Sequence, residues 1–279
     1  MNKFLAGVIQ LDSQADVQAN LAAAEELVRG AAAQGAKLIC MPESVNYVGP
    51  GIRDMTEEVP GGPTFQRFSA LAKELNVWLH CGSIYAQSGE ERPYNCTMVI
   101  NPQGELAAHY EKLHPFDVSI GNGGPTVRES DRICPGRNIV TVDTGEVGHL
   151  GLSICYDMRF GELFRIMALE GANILLCPAN FTLNTGKDHW LPLLQARAIE
   201  NGCYVIAPGQ IGKKPRFQAY GHSMVIDPWG NVVACASDRP CFITAEIDLD
   251  YVQTVRQQIF TLENRRSDRY ILQRLCLSE

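Results

Sequence analysis

The chain has 279 residues, 46% of them hydrophobic, and a formal net charge of −7. That is enough apolar material for a large core and the wrong sign for a nucleic-acid partner, which needs several Lys or Arg on one face. No apolar run approaches the roughly 20 residues that cross a bilayer, and the ten cysteines lack the close spacings of a disulfide scaffold. Reduced thiols and a cytoplasmic setting follow, and we read residues 1–279 as one α/β domain.

In chain order, Phe4 to Leu11 behind Lys3 reads as a first strand, which Asp12 ends too early for a secretory leader. Val17, Leu21, Ala24, Leu27, Val28 and Ala31 form a helical stripe between Gln14 and Gln34; Phe65, Phe68, Leu71, Ala72 and Leu75 form a second after Pro63. Between these stripes an apolar strand, Leu38 to Pro42, runs into Glu43, and later the strand Leu106 to Glu111 runs into Lys112. The stretch from Pro115 to Asn138 reads as one long irregular loop, with Gly121, Gly123, Gly124, Pro125, Pro135 and Gly136; loops of that length are usually functional, and this one holds Glu129. Next, the run Leu150 to Ile154 closes on Cys155 and turns through Tyr156, Asp157, Met158, Arg159 and Phe160. A strand ending on a cysteine at a sharp polar turn is a nucleophile elbow, which lifts the thiol to the sheet edge and leaves neighbouring N–H groups free.

The chain also resembles itself. GAKLICMPES from Gly35 matches GANILLCPAN from Gly171, and VINPQGELAAHY from Val99 matches VIDPWGNVVACA from Val225, in the same order. Each half reads as strand, helix, strand, helix, strand and hairpin, with turns at Asn101-Pro102-Gln103-Gly104 and Asp227-Pro228-Trp229-Gly230. Such a half covers one face of its sheet with helices. A second copy packed sheet to sheet covers the other, giving a four-layer αββα sandwich with an internal pseudo-duplication.

Three strand ends thus deliver a carboxylate, an ammonium and a thiol, a set suited to attack on a carbonyl or nitrile carbon. The segments that carry them are MPES around Glu43, YEKLHPFDV around Lys112, VRES around Glu129 and ICYDMRFGEL around Cys155, followed by YGHSMVIDPWG and RRSDRY. In order and over nearly the whole length they resemble the nitrilase (carbon–nitrogen hydrolase) superfamily, amidase branch. Gly161 departs from that pattern, which has proline there.

The resemblance implies the αββα fold and cofactor-free hydrolysis of a small amide through a thioester on Cys155, with Glu43 as base and then acid. Lys112 and the backbone N–H of Tyr156 would hold the oxyanion, and Glu129 would position Lys112. It also implies a homodimer formed through the helix carrying Phe164, Ile166, Met167 and Leu169. Partial burial of Glu43 and the charge of Lys112 are expected to narrow the gap between carboxylate and thiol pKa values. The four residues do not separate amides from nitriles or N-carbamoyl compounds, and their joint presence disfavours a silent scaffold. Tyr47, Asn180, Phe181 and Gln210 are candidates for the substrate-facing loops. Arg159 either meets a substrate carboxylate, helped by the basic loop of Lys213, Lys214 and Arg216, or pairs with Glu162. His114, His189 and His222 lack metal-ligand spacing, so no metal is expected.

Overall fold

The computed structural model describes residues 2–119 and 126–275. The first half runs β1 (Lys3–Gln10), α1 (Val17–Ala33), β2 (Ala36–Cys40), α2 (Pro63–Leu75), β3 (Trp78–Ala86), β4 (Tyr94–Ile100) and β5 (Leu106–Glu111). A connecting region holds the short strands β6 (Asp117–Ser119), β7 (Thr126–Arg128) and β8 (Thr141–Asp143). The second half runs β9 (His149–Leu152), α3 (Gly161–Leu169), β10 (Ile174–Leu176), α4 (Leu183–Asn201), β11 (Tyr204–Ala207), β12 (Ile211–Lys213), β13 (Gln218–Tyr220), β14 (Met224–Ile226) and β15 (Val232–Cys235). β16 (Cys241–Asp248) and α5 (Leu249–Gln258) follow.

The helices begin and end where local chemistry allows. Asp16 caps α1 by accepting the Ala19 N–H at 3.0 Å, which satisfies one of the orphan donors of the first turn. α2 starts on Pro63, whose missing N–H costs nothing there, and Glu57 caps it from a distance by accepting the Thr64 N–H at 2.7 Å. The stripe Leu21, Ala24, Val28 and Ala31 is buried, as its spacing predicts.

Two six-stranded sheets form, in the orders β16-β1-β2-β3-β4-β5 and β15-β14-β11-β10-β9-β8. The expected duplication is explicit in these orders: β1, β2, β3, β4 and β5 correspond to β9, β10, β11, β14 and β15, the first three of each set parallel and the rest antiparallel. The two hairpin turns are built alike. Asn101 Oδ1 accepts from the N–H of Gln103 and Glu105, and Asp227 Oδ1 from the N–H of Trp229 and Asn231.

Ala6, Val8, Leu38 and Cys40 of one sheet share a buried cluster with Leu150, Leu152, Ile174 and Leu176 of the other, so the sheets pack face to face. Ile9, Ile39 and Leu79 point the other way, onto α1 and α2, whereas Phe164, Met167, Trp190 and Leu194 cover the second sheet from α3 and α4. The expected four layers are present.

Four readings change. The stretch from Pro115 to Asn138 is not wholly irregular, because β6 and β7 pair antiparallel; Gly121, Gly123, Gly124 and Pro125 lie outside the described residues. Lys214 is not available to help Arg159 from a basic loop: it is 2% exposed, and its ammonium reaches Asp12 Oδ1 at 2.8 Å and the Ser13 carbonyl at 3.0 Å. Of the four apolar residues reserved for a partner, Phe164, Ile166 and Met167 are buried within the chain and Leu169 alone is exposed. Glu162 is exposed and pairs with no cation among the described residues. No helix of the described residues is long and apolar enough to cross a membrane.

Candidate active site

Glu43 lies just past the end of β2, where the chain passes close to β3. A Cβ at Gly82 would stand 1.9 Å from the Pro42 carbonyl oxygen, so only glycine lets the strands run this close. Ser44 turns the chain with φ of 58° and donates its N–H to Ser83 Oγ at 3.0 Å. Lys112, just past β5, is held by its N–H on the Asn95 carbonyl and by its own carbonyl under the Gly136 N–H. Cys155, past β9, has φ of 51° and donates its N–H to the Pro178 carbonyl at 2.8 Å. A cysteine in the left-handed region is strained backbone held by its surroundings, which is the elbow read from the sequence.

These ends converge. Lys112 Nζ, 1% exposed, lies 3.0 Å from Glu43 Oε1 and 2.9 Å from Glu129 Oε2. Glu129 also accepts the Phe116 N–H at 2.6 Å. Glu43 Oε1 accepts Asn95 Nδ2 at 2.8 Å, and Oε2 accepts the Asn180 N–H at 2.7 Å. The Cys155 thiol adjoins both Glu43 and Lys112. All four residues of the expected set therefore meet.

Their charges depart from the expected balance. Burial alone would lift the Glu43 carboxyl, but the Lys112 charge and the hydrogen bonds it accepts outweigh burial and hold it below the usual range. Burial and the Glu43 charge push the Cys155 thiol well up, against the pull of Lys112. Burial disfavours the Lys112 ammonium, yet Glu129 and Glu43 raise it well above normal. The gap between carboxylate and thiol is thus wider than expected, because burial and the Glu43 charge outweigh Lys112 at sulfur while Lys112 favours the carboxylate. In the resting site the proton stays on sulfur.

The substrate-facing candidates divide. The Tyr47 hydroxyl bonds the Pro50 carbonyl, and its ring packs with Ile52 and Ile133. Gln210, fully buried, holds the Glu43 carbonyl from behind at 3.0 Å. Asn180 supplies its N–H to Glu43 and leaves its buried Oδ1 without a hydrogen-bond partner. Phe181 packs on Trp190 with ring centroids 5.2 Å apart. Arg159 lies over Phe181 and Tyr156, its guanidinium carbon 5.4 and 5.7 Å from the ring centroids, and its Nη atoms reach His189 Nδ1 at 3.3 Å.

Tyr156 N–H lies in the first turn of a 3₁₀ segment, Cys155–Arg159, where N–H groups lack acceptors in the helix. Sequence reasoning missed Asn95, although an Asn inside the apolar run of β4 is a signal in its own right. Among the described residues no cluster of three or more His, Cys, Asp or Glu side chains could hold a metal ion.

The carbon-nitrogen hydrolase family model matches residues 5–257. The chain is 40% identical over 270 residues to deaminated glutathione amidase of Synechocystis sp., covering 95% of this chain and 99% of that one. It is also 40% identical to the human deaminated glutathione amidase, covering 95% and 83% of the two chains. Among solved structures, the C. elegans NitFhit protein superposes with a TM-score of 0.90 at 38% identity, over 97% of this chain and 66% of that one.

Proposed function

The chain belongs to the carbon–nitrogen hydrolase family, and from that premise we propose that it hydrolyses the amide bond of a small carboxylate-bearing molecule through a thioester on Cys155. The observation that supports this most is the placement of Lys112 between Glu43 and Glu129 beside the Cys155 thiol.

Because the thiol rests protonated, attack and proton transfer go together. Cys155 Sγ bonds the amide carbon as its proton passes to Glu43 Oε2 or Oε1, and the carbonyl π electrons move onto oxygen. Lys112 Nζ and the Tyr156 N–H hold that oxyanion, each such donor contributing on the order of 3 kcal/mol to the transition state. The C–N bond then breaks, Glu43 gives its proton to the leaving nitrogen, and ammonia or an amine departs from a thioester. Water enters next, loses a proton to Glu43 and attacks the thioester carbon. Collapse of the second tetrahedral adduct breaks the C–S bond, returns the proton to sulfur and releases the acid. Glu129 keeps Lys112 charged and in place. No cofactor is called for in this sequence.

Two relatives named for deaminated glutathione and the Arg159 guanidinium, held by two ring faces and a histidine with no carboxylate on it among the described residues, favour an anionic amide such as deaminated glutathione. The ω-amide α-ketoglutaramate is the second candidate. We further propose a homodimer through α3, whose Leu169 is exposed, and a reducing, cytoplasmic setting for its free thiols. Ammonia release across a panel of ω-amides, nitriles and N-carbamoyl compounds tests the function. Turnover of nitriles or carbamoyl compounds in preference to amides would overturn it.

A further inference from the structure

We infer that Asp157 is a positioning residue for this hydrolysis, tying the segment that carries Lys112 to the elbow that carries Cys155. The inference rests on the roles proposed above for those two residues.

Asp157 is fully buried, and each of its carboxylate oxygens takes two donors. Oδ2 accepts the Tyr110 hydroxyl at 2.7 Å and the Ile154 N–H at 2.8 Å. Oδ1 accepts the His114 N–H at 3.1 Å and lies 2.7 Å from His114 Nδ1. The Tyr110 hydroxyl in turn accepts the Leu113 N–H at 3.1 Å. Residues on both sides of Lys112, and the residue just before Cys155, therefore converge on one side chain.

A simple turn cap does not account for this. The bond from the Ile154 N–H is local and closes the 3₁₀ turn of the elbow, which one oxygen achieves. The other oxygen is committed to His114, whose ring is stacked on Phe160 at 3.6 Å and 8° and so held in register with the elbow. What needs holding is a distance between two sheets: Lys112 Nζ follows β5 of one, and the Tyr156 N–H follows β9 of the other. Both donors must meet a single oxyanion, and an error of about 1 Å in such a constellation costs on the order of 100-fold in rate.

A carboxylate suits the task because it only accepts. In Asp157→Asn the amide NH₂ must face either the Ile154 N–H or the His114 N–H, so one of the two backbone ties is lost in either orientation. His114→Ala removes the ring donor, whereas His114→Asn returns an N–H donor close to the Nδ1 position without the ring.

The test is steady-state kinetics on the amide substrate, with circular dichroism to select folded protein. Expected is a fall in kcat of about 30-fold or more for folded Asp157→Asn, with KM within about threefold of wild type. In a Lys112→Ala background, read by single-turnover acylation of Cys155, the same substitution costs less than about threefold, because the two act through one element. His114→Asn recovers most of what His114→Ala loses. If Asp157→Asn does not fold, Tyr110→Phe and His114→Ala decide, each with an expected loss of about tenfold in kcat. Wild-type kcat in the folded variants, or an equal loss with and without Lys112, overturns the inference while Cys155→Ala stays dead and Lys112→Ala stays slow but measurable by single-turnover acylation. Wild-type turnover in either of those two variants overturns the site and the inference together.

Discussion

The backbone N–H of Asn180 stands 2.7 Å from Oε2 of Glu43, joining corresponding ends of the two duplicated halves. Glu43 follows β2 and Asn180 follows β10, the strands within the repeated GAKLICMPES and GANILLCPAN segments. One copy supplies the acid, and the other closes on it with a main-chain donor. Gln210, also from the second half, holds the Glu43 carbonyl from behind. The site is therefore assembled across the sheet-to-sheet contact, and neither half contains it alone.

Replacing Cys155 by alanine should abolish turnover and leave the fold intact. The change removes one sulfur at a sheet edge, and so small a space costs about 1–2 kcal/mol at most. Wild type quenched with acid early in turnover should show an acyl adduct on Cys155 in intact-protein mass spectra, whereas Glu43→Gln, which lacks the base and acid for acylation as well as for the water step, should show none. Residual turnover near wild type in Cys155→Ala would falsify the thioester route.

Lys112→Arg should be nearly as damaging as Lys112→Ala. The ammonium is 1% exposed and touches two carboxylates as a point donor; a planar, bulkier guanidinium cannot reproduce that reach and overpacks the pocket. Steady-state kinetics on both variants decide the matter. An arginine variant that keeps most of kcat shows that positive charge alone suffices.

The parts of this arrangement that depend on short stretches of sequence were legible in it. Apolar spacing placed α1 and α2, and the strand ends before Glu43, Lys112 and Cys155 could be read one at a time, because each is a local run followed by a polar residue. Contacts between distant segments were not. Lys214 reads as part of a free basic loop because its partner Asp12 comes from the other half, and Tyr47 reads as available because nothing nearby in sequence announces its packing with Ile133. The expected narrowing of the gap between the Glu43 and Cys155 pKa values failed for the same reason, since it depends on how deeply the assembled site buries the thiol and on the contact of Glu43 with Lys112. Asp157 sits in the motif itself, but its tie to His114 appears only once β5 and β9 are placed.

His80 makes stability fall in mild acid. It is fully buried on β3. The Thr97 hydroxyl donates to the Cys81 carbonyl, so it accepts from His80 Nε2, and Nδ1 is left without a partner. Burial pushes the imidazole from 6.5 down to about 3. Between those values the unfolded chain holds a proton that the folded chain refuses, so stability falls with pH across that window, by up to about 1.4 kcal/mol per unit. Urea unfolding at pH 7 and at pH 4.5, on wild type and His80→Leu, should show the variant losing less stability. Equal losses in both proteins would rule this out.

Arg159 should govern substrate charge. Its guanidinium is held over the faces of Phe181 and Tyr156 and against His189 Nδ1, beside the elbow that carries the nucleophile. Glu162, the partner a structural role would require, is exposed and unpaired among the described residues. A cation that meets no carboxylate among the described residues, in the turn that carries the nucleophile, is suited to bind the carboxylate of a ligand, with two parallel hydrogen bonds where geometry permits. Removing it should therefore weaken binding of the acid and leave the chemistry at sulfur alone. For Arg159→Met, kcat/KM on the anionic amide is expected to fall by about 10–100-fold, mainly through KM, since a charge-assisted pair contributes roughly 1.5–3 kcal/mol. The uncharged methyl ester of the same amide should be turned over as well by the variant as by wild type. Arg159→Lys should recover only part of the loss, because an ammonium neither stacks between the two rings nor presents a planar fork. An equal loss on the acid and on its ester would show that Arg159 supports the elbow rather than the substrate, and the preference for a carboxylate-bearing amide would have to be carried by other residues.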